Sequence, residues 1–69
     1  MKIKVNGEEK YLSTSNKKIS LKDTINLLGY KPNTIVVELN NLIINFESWE
    51  NKAVEEGDKL EIVSIVGGG

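Results

Sequence analysis

Gly67, Gly68 and Gly69 close the sequence, and they carry its most distinctive chemistry because other reactive groups are scarce. There is no histidine and no cysteine, so the commonest general base, the commonest metal ligand and the thiolate nucleophile are all missing. The remaining hydroxyls and lysines have no evident activating neighbour. Glu8-Glu9 and Glu55-Glu56 pair carboxylates, but each pair is adjacent in sequence beside a turn. That placing suits solvated charge better than a matched acid and base. The chain reads as a non-enzyme, with no metal or bound cofactor expected.

The glycine run has two readings. It can be a frayed terminus or a linker remnant. Alternatively it presents an α-carboxylate on a thin arm, since three extended residues reach roughly 10 Å. Glycine lacks Cβ, so such an arm can pass a narrow channel and adopt backbone angles closed to other residues. A carboxylate becomes electrophilic once ATP converts it to an acyl-adenylate, and a sulfur nucleophile can then displace AMP. With no bulky side chain near the acyl carbon, neither attack is hindered. The glycines follow directly on an apolar strand-like segment, with nothing polar after them, which weakens the first reading without removing it. The second is the logic of a substrate.

The elements behind that arm must fit into 69 residues, one small domain with a thin core. Nine lysines face ten carboxylates and there is no arginine, giving a net charge of -1. Without the bidentate guanidinium fork, no nucleic-acid partner is expected. The lysines are dispersed, and Lys17-Lys18 is read with the others as solvated surface charge. No apolar run reaches membrane-spanning length, and MKIKV enters an alternating pattern at once. No membrane association, no leader segment and a cytoplasmic location are the expectations.

Met1–Val5 alternates apolar and basic residues, the pattern of a half-buried strand. Asn6-Gly7 supplies a two-residue hairpin turn, and Glu8–Leu12 returns, with Tyr11 and Leu12 competing for the inward position. Residues 13–18 form a polar loop. Ser20, three residues before Asp23, resembles a capping box, and Leu21, Ile25 and Leu28 form one apolar stripe flanked by Thr24 and Leu27. Gly29 is placed for a left-handed helix end and Pro32 bars continuation, so the helix runs over 21–28. Ile35–Leu39 is a β-branched strand, Asn40-Asn41 a turn, and 42–44 a short strand. Phe46 and Trp49 lie in an ambiguous stretch, with Trp49 expected in the core or at its edge. Residues 55–58 form a turn that Asp58 orders, and 59–66 the last strand.

Hairpin, helix, strand, short strand, strand is the order of an α+β fold of the ubiquitin-like β-grasp kind. It predicts a mixed sheet of four to five strands with one main helix. The last strand would sit centrally and parallel to the first. Residues 1–66 form the domain and 67–69 a flexible tail.

The run VEEGDKLEIVSIVGGG, Val54 to Gly69, resembles the C-terminal signature of the ThiS family of thiamine-biosynthesis sulfur carriers. The opening MKIKVNG and the overall length are also similar to that family. The resemblance implies that an E1-like adenylyltransferase (ThiF-like) adenylates Gly69 with ATP. It also implies that sulfur from a cysteine desulfurase or sulfurtransferase makes a thiocarboxylate there, with Gly67 and Gly68 as the tail. Thiazole synthase (ThiG-like) would receive the sulfur. Molybdopterin-synthase small subunits (MoaD-like) share the fold and a Gly-Gly end and are one alternative; a passive β-grasp interaction module is the other.

Alternation along the last strand puts Leu60, Ile62, Ser64 and Val66 on one face and Glu61, Val63 and Ile65 on the other. Leu60 and Ile62 are assigned to the helix side. Val63 and Ile65 then either form a partner-docking patch beside the tail or merely cover the sheet beside Ile3, Val5 or Val36.

Overall fold

A computed structural model describes residues 1–65. Strands β1 (Lys2–Val5) and β2 (Glu8–Tyr11) form the opening hairpin, followed by β3 (Lys18–Ser20) and helix α1 (Leu21–Leu28). A 3₁₀ turn at Pro32–Thr34 leads into β4 (Ile35–Leu39) and β5 (Leu42–Ile43). A second 3₁₀ turn at Phe46–Ser48 precedes β6 (Ala53–Glu55) and β7 (Lys59–Ser64).

Five strands build the main sheet in the order β2-β1-β7-β4-β5. The last strand is central, parallel to β1 (Lys4 beside Lys59, Val5 beside Leu60) and antiparallel to β4 (Val37 opposite Ile62). This is the β-grasp arrangement expected of the element order. One feature was not anticipated: β3 and β6 pair as a separate two-stranded sheet, Ile19 opposite Val54. The expected polar loop therefore ends one residue early, at Lys17.

Both hairpin turns use residues that tolerate a left-handed backbone. Asn6 and Gly7 have φ of 52° and 83°, and Asn40 and Asn41 have 50° and 75°. Two consecutive positive φ values match the twist of the flanking strands.

The helix is specified at both ends. Ser20 Oγ accepts the Asp23 N–H at 3.0 Å. The two preceding helical N–H groups are also met, Leu21 by the Lys52 carbonyl at 2.7 Å and Lys22 by the Trp49 carbonyl at 3.2 Å. The 49–52 segment thus closes the donors that a helix start leaves open. At the other end Gly29 sits at φ 87°, donating to the Asn26 carbonyl while Tyr30 donates to that of Ile25. These two bonds form a Schellman end.

The core gathers Ile3 and Val5 of β1, Leu21 and Ile25 of α1, Val37 and Leu39 of β4, and Leu60 and Ile62 of β7, with Leu12, Ile35, Trp49 and Val54 around them. Leu12, not Tyr11, takes the inward position: Tyr11 is 76% exposed. Thr24 is buried within the helical stripe, its hydroxyl donating to the Ser20 carbonyl at 2.9 Å, whereas Leu27 is exposed. Trp49 is buried and its indole N–H donates to the Ile44 carbonyl at 2.9 Å. Phe46 stands edge-on to it, ring centroids 5.1 Å apart, on the surface.

Candidate functional site

The helix covers one face of the main sheet and leaves the other open. Strand alternation and register identify the open face: Glu9 and Tyr11 on β2, Lys2 and Lys4 on β1, Lys59, Glu61 and Val63 on β7, Val36 and Glu38 on β4, and Ile43 on β5. It divides into a charged half around β1 and β2 and a more apolar half where β7 ends.

Val63 is 56% exposed and Ile65 59%, at the end of the central strand. Val36 lies directly opposite Val63, half-buried on the same face, and exposed Ile43 lies on that face one strand further, opposite Glu38. Ile3 and Val5 do not contribute. They are buried on the helix side, so of the three residues beside which Val63 and Ile65 could merely cover the sheet, only Val36 lies on this face. Leu60 and Ile62 point into the core, as expected of their alternation.

The start of β7 is anchored on polar contacts. Asp58 Oδ2 accepts the Glu55 N–H at 2.8 Å, and its Oδ1 accepts from Asn40 Nδ2 at 3.1 Å. Asn40 Oδ1 in turn accepts the Lys59 N–H at 3.0 Å. Asp58 therefore orders the turn into β7. The glutamate pairs sit in solvent: Glu8 and Glu9 face Lys10 and Lys2 at 3.9 and 3.5 Å, and Glu56 accepts the Lys2 N–H at 2.9 Å.

Val66, Gly67, Gly68 and Gly69 lie outside the described residues. The described part of the site is the strand that leads to them and the face beside it. A surface depression of about 450 Å³, lined by Met1, Asn16, Lys17, Glu55 and Glu56, lies at the end of the sheet where β1 begins. Because β1 and β7 are parallel, that is the end opposite Val63 and Ile65. Among the described residues no group of His, Cys, Asp and Glu could hold a metal ion, and no helix is long and apolar enough to cross a membrane.

Val63 lies on the uncovered face and Ile65, just past the end of β7, is exposed, but sequence reasoning missed a contact that restrains their strand. The Asn6 side chain, read only as a turn former, is hydrogen-bonded to the backbone of Ile62. An asparagine in a turn is explained by its φ alone, so nothing in the local sequence signals a partner 56 residues away.

Comparison with known proteins places this architecture. Residues 3–69 match the model of the ThiS family. An uncharacterized protein, ycf40, of Trieres chinensis is 40% identical over 65 residues, which cover 94% of this chain and 85% of that protein. A thiazole synthase of Paramagnetospirillum magneticum is 39% identical over 69 residues, the whole of this chain but only 20% of that protein. The crystal structure of a thiamine biosynthesis protein (ThiS) from Geobacter metallireducens superposes with a TM-score of 0.84 over 100% of both chains, at 24% identity, a likeness of fold. The chain belongs to the ThiS family of ubiquitin-like sulfur carriers.

Proposed function

We propose that the chain carries sulfur for thiazole formation in thiamine biosynthesis, as a thiocarboxylate on Gly69. The observation that carries this reading is the family match, which runs through residue 69 and so includes the glycine run. The similarity of the whole chain to one segment of a thiazole synthase supports a ThiG-like acceptor over a molybdopterin-forming one.

In this mechanism the Gly69 carboxylate attacks the α-phosphorus of ATP held by an E1-like, ThiF-like partner, and pyrophosphate leaves. The terminal sulfur of a persulfide, supplied by a cysteine desulfurase or sulfurtransferase, attacks the acyl carbon and displaces AMP. A thiol then cleaves the resulting acyl disulfide, leaving the thiocarboxylate on Gly69. The chain's own part is presentation. Gly67 and Gly68 bring no Cβ to hinder either step, and Val63 and Ile65 give the partner an apolar surface on the strand that leads to the arm. ATP belongs to the partner, and the cytoplasm is the proposed compartment.

Incubation with ATP, an E1-like activating enzyme and a persulfide donor, followed by intact-mass measurement, tests the reading. An AMP adduct and then a thiocarboxylate are expected. Deleting Gly69 should abolish both and leave the thermal transition in place. An unmodified mass under conditions that activate a known carrier, or unfolding on deletion of Gly69, would overturn the reading.

A further inference from the structure

Asn6 occupies the first central position of the β1–β2 turn, at a φ of 52°. Its side chain does more than the turn requires. Oδ1 accepts the Ile62 N–H at 2.7 Å, and Nδ2 donates to the Ile62 carbonyl at 3.2 Å. The Asn6 backbone N–H donates to the Leu60 carbonyl at 2.9 Å. The side-chain amide thus stands in for the two bonds to Ile62 that a continuing β1 backbone would have made, while the backbone already turns away.

Bond directions along β7 show what this contact controls. Odd-numbered residues face β4: the Lys59 carbonyl accepts from Asn40 at 2.8 Å, and the Ile65 N–H donates to the Thr34 carbonyl at 2.9 Å. Even-numbered residues face β1, as Leu60 and Ile62 do. Ser64 is the next of these, and among the described residues its N–H and carbonyl have no partner on that side. Among the described residues Asn6 therefore makes the last hydrogen bonds on the β1 side of β7. The exposed pair Val63 and Ile65 lies beyond it.

We propose that Asn6 is a positioning residue, whose side-chain amide sets the direction in which β7 leaves the sheet and so where the docking pair and the terminal carboxylate are presented. The inference rests on the Gly69 reading above. A strand end held along both edges has one exit direction. Held along one edge, it can twist about that edge and carry the docking pair, and the point from which the arm starts, out of line, and misplacements of this kind cost rate steeply.

Asn40 provides an internal control. It too has a positive φ in a hairpin turn, 50°, and its Oδ1 holds the Lys59 N–H at 3.0 Å, but at the opposite end of β7. Asn6→Gly removes two side-chain bonds to β7, Asn40→Gly removes one to β7 and one to Asp58, and both keep a residue that accepts the turn. Asn6→Asp keeps the acceptor for the Ile62 N–H and loses the donor.

The test compares these three variants of the full chain by amide hydrogen exchange, with no partner present, and by kcat and KM for adenylation with an E1-like enzyme. Asn6→Gly should speed exchange at Val63 and Ile65, whose own bonds run to the β4 side, as well as at Ile62. It should lower kcat about tenfold, while Asn6→Asp recovers part of the loss. Asn40→Gly should lose stability with kcat retained. Exchange altered at Ile62 alone, or equal kcat losses in Asn6→Gly and Asn40→Gly, would overturn the inference. If the natural sequence is never adenylated, the carboxylate reading fails, and exchange at Val63 and Ile65 still decides whether Asn6 holds the strand end.

Discussion

Glu38 of β4 and Glu61 of β7 lie directly opposite one another on the sheet face that the helix leaves open. Both are half-buried, and neither closes an ion pair among the described residues, although Lys59 lies on the same face. Like charges directly opposite across a ladder are destabilising. Glu38→Gln should therefore raise stability by about 0.5 kcal/mol. Urea unfolding at low and high salt checks this: the gain should shrink as salt screens the pair. A loss of stability at low salt would show that a partner for Glu38 outweighs the repulsion.

Trp49 is the largest fully buried side chain, and its N–H has one acceptor, the Ile44 carbonyl at 2.9 Å. Trp49→Phe leaves that carbonyl without its donor and should cost about 1–3 kcal/mol. Trp49→Ala adds a cavity and should cost about 3–5 kcal/mol. Set against the roughly 3–10 kcal/mol expected for a domain of this length, the alanine variant should be largely unfolded when warmed. Circular dichroism melts follow both variants, since the substitutions remove the indole fluorescence.

Gly29 ends the helix at φ 87°, and a Cβ added there would meet nothing within 4 Å. The penalty of Gly29→Ala is therefore purely conformational, about 1–2 kcal/mol. Gly29→Asn should cost less, because asparagine tolerates the left-handed region. Calorimetric melting of the two variants ranks them; equal transitions would mean that the helix end rearranges.

Ile65 is 59% exposed, so Ile65→Glu should change stability by no more than about 0.5 kcal/mol. If Val63 and Ile65 form the docking surface, the same substitution should weaken activation by the E1-like partner about tenfold or more, as loss of a buried interface anchor does. Titrating partner against adenylate formed measures it. Unchanged activation would remove the docking role and leave the carrier role standing.

Local interactions were legible in the sequence by itself. The Asn6-Gly7 turn, the helix over 21–28 with Ser20 at its start and Gly29 at its end, the strand over 35–39 and the Asn40-Asn41 turn all stand where the pattern placed them. Each is decided by φ preference, capping or periodicity within a few residues. The glycine run likewise drew attention to the chain end through composition alone. Tertiary structure decided what depends on distant partners. Lys18–Ser20 and Ala53–Glu55 are strands only because they pair with each other, being too short to show alternation of their own. Tyr11 yields the interior to Leu12 because pairing with Lys2 turns its side chain to the open face. Asn6 reaches Ile62 because β1 and β7 are neighbours in space at the two ends of the sequence. A hydrogen bond spanning 56 residues leaves no trace in either local segment, since neither needs the other to satisfy its own propensity.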